Sequence, residues 1–184
     1  MSRIRLLPLG SADRDMVAAL RPALEADFDV VAEVGEIDLD LDQFLDPRRL
    51  QYNSTALINH LQGRYASIGG MRGDSPSLLA VVDEDLFIPI LTYVFGEAQL
   101  GGRVAVVSYH RLQNERYGLP RDQGRLFERL HKEAVHELGH VFGLLHCPAR
   151  ECAMHISTYV EDIDMKPAAL CPSCRRQLAT LARA

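Results

Sequence analysis

Three histidines and a glutamate recur in the run His136-Glu137-Leu138-Gly139-His140-Val141-Phe142-Gly143-Leu144-Leu145-His146. A helix turns once in about 3.6 residues, so side chains four apart share a face. His136 and His140 can therefore aim two imidazole nitrogens at one metal ion. Glu137, one step round the helix, is poorly placed as a ligand of that pair but well placed to take a proton from a water at the metal. Gly143 can adopt the left-handed conformation that ends a helix, turning the chain back so that His146 supplies a third ligand. Three protein ligands leave a fourth position for water, the mark of a hydrolytic zinc site rather than a structural one. The alternative is a chance set of histidines on an amphipathic helix. With seven His and thirteen Gly in the chain, the five fixed positions match at random on the order of once in 10⁴ to 10⁵ such chains. The metal reading stands.

All four cysteines follow the motif: Cys147, Cys152 and the pair in Cys171-Pro172-Ser173-Cys174. This C-x4-C and C-x2-C spacing matches a tetrahedral Cys₄ zinc site, which is closed and therefore structural. Two disulfides or four buried free thiols are the alternatives. The opening Met1-Ser2-Arg3-Ile4-Arg5-Leu6-Leu7 runs into a strand-like segment stopped by Pro8 and Gly10, with no apolar stretch long enough for a secretory signal. A reducing, cytoplasmic setting is expected, and there a C-x-x-C favours metal or redox chemistry over a permanent bridge. A thioredoxin-type motif would sit at the mouth of an early βαβ unit. This one lies in the last fourteen residues.

Met154 stands eight residues after His146. Taken with it, the pattern His136-Glu137-x-x-His140-x-x-Gly143-x-x-His146-Cys147, then Cys152-x-Met154, then Cys171-x-x-Cys174 resembles the signature of the archaemetzincins, metzincin-clan peptidases with an extra zinc. The resemblance is tight over about forty residues and loose elsewhere. It implies that His136, His140 and His146 hold a catalytic zinc, that Glu137 is the general base, that Cys147, Cys152, Cys171 and Cys174 hold a second, structural zinc, and that Met154 forms the turn beneath the first. It also implies a zincin-like α/β (α+β) fold: a twisted mixed sheet, the active-site helix, and a small C-terminal part stapled by the second zinc. The whole chain is expected to be one domain, with an N-terminal part to about residue 146 and a C-terminal part from about 147. Astacins place a zinc-binding tyrosine two residues after the turn methionine. Here that residue is Ile156, so no tyrosine switch is expected, and Tyr159, which is near enough in sequence to reach the site, is assigned to packing. The expected activity is zinc-dependent hydrolysis of peptide bonds. Two rivals are a zinc protein with restricted or no general proteolysis, acting as a specialised peptidase or peptide-binding module, and a cysteine-based metal or redox protein.

These side chains need elements to position them. From Asp122, the apolar residues Leu126, Phe127, Leu130, Ala134, Leu138, Val141 and Phe142 recur at helical spacing, giving about twenty helical residues before Gly143. His131, five residues from His136, lies well round that cylinder and is read as solvated or capping. Residues 4–9 and 28–34 are strand-like around a helix at 13–26 carrying Met16, Val17, Leu20 and Leu24. Residues 36–45 alternate acidic and apolar positions, which suits an exposed extended stretch. Asn53 reads as the N-cap of a helix through Leu57, Ile58, Leu61 and Tyr65. Residues 68–76 are glycine-rich and loop-like, and 77–82 form a continuous apolar strand ending in Asp83-Glu84-Asp85, read as solvated. Residues 93–100 and 103–109 read as a hairpin turning at Gly101-Gly102. One of its strands could be the sheet edge. In metzincins an extended peptide pairs antiparallel with the strand above the active-site helix, and Phe95, Gly96, Glu97 and Ala98 are the candidates here, with plain sheet as the alternative.

Composition limits the partners. At 184 residues and 47% hydrophobic content the chain can bury a core, and its 24% charged content describes an ordinary globule. A net charge of −5 without a Lys/Arg stripe argues against nucleic acid. No apolar run approaches the roughly twenty residues that span a bilayer. A peptide or protein substrate is the expected partner, and a monomer the default state.

Overall fold

In the computed structural model the described residues are 3–67 and 75–181. The strands are β1 (Arg3–Pro8), β2 (Val31–Val34), β3 (Leu45–Asp46), β4 (Gln51–Asn53), β5 (Ser77–Val82), β6 (Leu86–Phe87), β7 (Gly96–Ala98) and β8 (Val104–Ser108). The α-helices are α1 (Arg14–Phe28), α2 (Ser54–Ser67), α3 (Gln123–Val141), α4 (Val160–Met165) and α5 (Pro172–Leu181). A five-stranded sheet runs in the order β2-β1-β5-β8-β7, the first four parallel and β7 antiparallel at the edge. A small second sheet pairs β3, β4 and β6.

The central strands β5 and β8 are buried along their whole length, as continuous apolar strands are when both faces are covered. Their side chains alternate between two cores. Leu79, Val81, Ala105 and Val107 face α1 and α3, while Leu78, Ala80, Val82, Val104 and Val106 face α2. Helix α3 contributes Leu126, Leu130, Ala134, Leu138 and Val141 to the first core, the apolar stripe of its sequence. Asp122 caps it, accepting from the Arg125 amide at 2.9 Å. Asn53 caps α2 through the Ala56 amide at 3.0 Å. Buried Arg129 of α3 grips Asp164 of α4 with two 2.7 Å hydrogen bonds, fixing the C-terminal elements against α3.

Several local expectations change. Residues 36–45 are not extended throughout: Leu41–Phe44 form a 3-10 turn capped by Asp40, because burying Leu41 and Phe44 outweighs their alternation with acids. The acidic trio is paired rather than solvated, with Asp85 on Arg111 and Gln51, Asp83 on Gln113, and Glu84 on Ser11. His131 bonds Asp27 of α1 at 2.6 Å. The hairpin loop is longer than two residues. The Gln99 amide pairs with the Val104 carbonyl, leaving residues 100–103 in the loop, and only Gly101 has a positive φ, of 62°. The Gly101 amide then donates at 2.9 Å to the His140 carbonyl, which also accepts from the Gly143 amide, tying the hairpin loop to the end of α3. The glycine-rich stretch 68–76 lies outside the described residues as far as 74.

Candidate metal centres and cleft

Helix α3 ends as its sequence dictates. The Phe142 amide closes the last turn on Leu138, and Gly143 takes φ 91°, a conformation costly for any residue with a Cβ. The chain then turns back under the helix, and the ligand nitrogens of His136, His140 and His146 gather within 4.8 Å of one another. His136 Nε2 and His140 Nε2 are 3.1 Å apart, with their rings almost perpendicular at 87°. Each ring has its other nitrogen beside a backbone carbonyl: His136 Nδ1 at 2.8 Å from Ala153 O and His140 Nδ1 at 2.7 Å from Leu144 O. A carbonyl only accepts, so both Nδ1 atoms carry the hydrogen. Both Nε2 atoms therefore turn lone pairs toward each other. Two lone pairs at that distance repel unless a cation lies between them, and tetrahedral zinc with Zn–N of about 2.0 Å spaces its ligands by about 3.3 Å. The residues fit zinc. Burial holds all three histidines below their ordinary pKa, with Lys166 as a further cause at His136, so they are neutral and able to ligate.

Glu137 is buried, and burial followed by the nearby Glu133 carboxylate holds its pKa well above the usual range, while Lys166 pulls it down. It faces the edge strand. A Cβ added at Gly96 would stand 2.6 Å from Glu137 Oε1, so only glycine lets β7 pass that close to the glutamate. On β7 the Gln99 amide and the Phe95 carbonyl bond to β8, and antiparallel alternation turns the main-chain groups of Gly96 and Ala98 to the free edge. Glu97 turns the other way, where the hydroxyls of Ser54 and Thr55 bond it at 2.5 and 2.8 Å. Phe95 is buried in the core.

Below the histidines, Met154 is fully buried, and the chain around it does three jobs in three residues. Ala153 supplies the carbonyl that orients His136. Met154 presses on Gly139, where an added Cβ would come within 3.0 Å of Met154 Cε and closer still to its sulfur. Cys152 joins the thiol cluster. The four sulfurs of Cys147, Cys152, Cys171 and Cys174 lie within 4.8 Å of one another and form no disulfide. The Cys147–Cys171 separation of 3.9 Å compares with about 3.8 Å between sulfurs of a tetrahedral Zn–S site. The Cys174 backbone amide pulls the Cys171 thiol down to about 7, whereas burial pushes the Cys152 and Cys174 thiols up.

Three further residues were not singled out by sequence. Lys166 is buried with Nζ 2.9 Å from Glu133 Oε1, 3.2 Å from His155 O and 3.5 Å from His136 Nδ1. The Glu133 contact is an ion pair without hydrogen-bond alignment. Glu133 sits four residues before Glu137 on the same helix face, the one signal that could have marked it. Tyr93 reaches from above β7 to Thr158, below the histidines. Tyr159, expected to pack, is 63% exposed and lines the cleft. That cleft encloses about 500 Å³ between residues 91–98 above, the histidines and Glu137 on its floor, and residues 156–159 below.

The profile of Peptidase family M54 matches residues 37–180. The archaemetzincin of Pyrococcus abyssi is 37% identical over 182 residues, covering 97% of this chain and 95% of the relative. This chain belongs to peptidase family M54. It is accordingly a zinc metallopeptidase, a hydrolase of peptide bonds. Solved M54-like structures agree in fold. The crystal structure of archaemetzincin from Methanopyrus kandleri superposes with a TM-score of 0.83 at 30% identity, covering all of this chain and 96% of that one. A zinc-dependent peptidase from Methanocorpusculum labreanum gives 0.82 at 28% identity over 95% of this chain and 99% of its own. The expected mixed α/β architecture is thereby borne out. Among the described residues no helix is long and apolar enough to cross a membrane.

Proposed function

We propose that His136, His140 and His146 hold the catalytic zinc of this peptidase, that Glu137 is its general base, and that Cys147, Cys152, Cys171 and Cys174 hold a second, structural zinc. The observation that carries the reading is the pair of facing Nε2 lone pairs, 3.1 Å apart and locked by their carbonyl partners. When bound, zinc supplies a Lewis acid that brings a coordinated water toward a pKa of about 7. The remaining chemistry belongs to the chain. The free-edge groups of Gly96 and Ala98 bind an extended peptide by main-chain hydrogen bonds and lay its carbonyl beside Glu137. A carboxylate of raised proton affinity takes a proton from the attacking water and returns it to the departing amine nitrogen. Burial of His136 and Glu137 on the floor of the cleft strengthens each of these interactions. Met154 supports the floor, and the thiol cluster anchors the segment that carries Ala153. The same reading takes the chain as one metallopeptidase domain whose C-terminal part begins near residue 147.

The test is metal analysis beside a peptide-cleavage assay. The wild type is expected to hold two zinc ions per chain, with one lost in His140→Ala and one in Cys171→Ser. Glu137→Ala should retain both and lose cleavage by about 10³-fold or more. A wild type holding one zinc would remove the second site, and an active Glu137→Ala would remove the base.

A further inference from the structure

The cleft is not open along its whole length. At the end before β7, Tyr93 Oη donates to Thr158 O at 2.8 Å, joining the wall above the histidines to the wall below. Both ends of this bridge are anchored. The Tyr93 ring packs against Phe95 in a T-shaped contact at 5.5 Å, and the Arg111 guanidinium covers one of its faces at 4.1 Å, itself fixed by hydrogen bonds of 2.5 and 2.6 Å to Asp85. On the lower side the Thr158 and Tyr159 amides both donate to Asp162 Oδ2, at 2.8 and 2.9 Å. A surface hydrogen bond between two loose loops would break with little resistance. One whose donor ring is held by both Phe95 and Arg111 and whose acceptor belongs to a capped turn forms a wall.

The distance from that wall to the reacting bond follows from the edge strand. The carbonyl under attack must lie beside Glu137, and Gly96 is the residue of β7 that touches Glu137. Antiparallel pairing, the more stable arrangement per residue, points the C-terminal direction of a peptide toward Tyr93. Gly96 and Tyr93 are three positions apart with a bend at Phe95 between them, at most about 10 Å of chain. We propose that the Tyr93–Thr158 bridge is the end wall of the groove, with Tyr93 as a specificity-determining residue. It restricts the substrates to peptides with about three residues or fewer after the cleaved bond. The inference rests on the peptidase reading above and narrows its substrate class to bonds near a C-terminus.

The experiment uses the full zinc-loaded chain and one peptide core extended on its C-terminal side by one to eight residues. For the wild type, kcat/KM is expected to fall roughly tenfold or more once the extension passes about three residues. Tyr93→Ala, which removes the wall, should flatten the series, and Tyr93→Phe, which keeps the ring and loses the donor, should lie between. Melting temperature and zinc content confirm that each variant is folded. Fluorescence anisotropy of the same peptides on Glu137→Gln reads the wall without chemistry. Length-dependent binding with no cleavage by the wild type would refute the catalytic reading and keep the wall. A wild type that cleaves or binds all lengths equally, a length limit unchanged in Tyr93→Ala, or an absence of binding at every length would overturn it.

Discussion

Two glycines show how single residues set the geometry of the site. Neither Gly96 nor Gly139 has a positive φ; each is required because another group lies where its Cβ would be. At Gly96 that group is Glu137, so Gly96→Ala must push the base or the edge strand aside. A misplacement of about 1 Å in a reacting group costs on the order of 10²-fold in rate. The expected outcome is a fall of that size in kcat with both metals retained, read by steady-state kinetics and metal analysis. At Gly139 the obstacle is Met154. Gly139→Ala overfills a packed interior and should cost about 1–3 kcal/mol, seen as a lower denaturation midpoint.

At the scale of elements, the end of β5 stores an unfavourable charge. Asp83 is pushed up to about 6, first by burial and then by Glu84, against the opposing Arg116 charge and the hydrogen bond from Gln113. Its neighbour His110 is held below its usual pKa by burial and Arg116, so it does not offer Asp83 a cation. A carboxyl raised in the folded state favours the protonated form. Its contribution to stability is complete below about 4 and is lost as pH rises through about 6. Asp83→Asn keeps an acceptor for Gln113 and cannot ionise. With the side chain 29% exposed, solvent screening limits the gain to on the order of 1 kcal/mol. The variant should melt higher than the wild type at pH 8 and about equally at pH 4, and a gain that does not change with pH would contradict this origin.

Across the whole molecule, the thiol cluster and the histidine site are mechanically joined. The Cys147 amide donates to Met154 O and the Ala153 amide to Ala169 O, so the third-histidine segment, the methionine turn and the irregular segment entering Cys171 form one hydrogen-bonded unit. Ala153 in turn orients His136. Residues that orient a ligand typically change metal affinity by about 10- to 100-fold when disturbed. Cys171→Ser is therefore expected to weaken zinc at the histidine site by about tenfold as well as to empty the thiol site. Loss of the histidine zinc in His140→Ala should leave the thiol site intact. Competition with a chromophoric chelator measures both.

Much of this protein was legible in its residues. The helical stripe from Leu126 to Val141, the Asp122 and Asn53 caps, the left-handed Gly143 and the approach of His136, His140 and His146 follow from local rules: spacing around a helix, capping chemistry and the turn that follows it. These act over a few residues, so the sequence alone determines them. What depended on tertiary structure lies between segments far apart in the chain. Lys166 reaches Glu133 across 33 positions, Tyr93 meets Thr158 across 65, and the edge strand passes Glu137 only because Gly96 lacks a Cβ. No periodicity records such contacts, because each is set by how layers stack and not by the residues on either side. The residue types and spacings of the candidate metal sites were written in the sequence, and the shape of the groove beside them was decided by the fold.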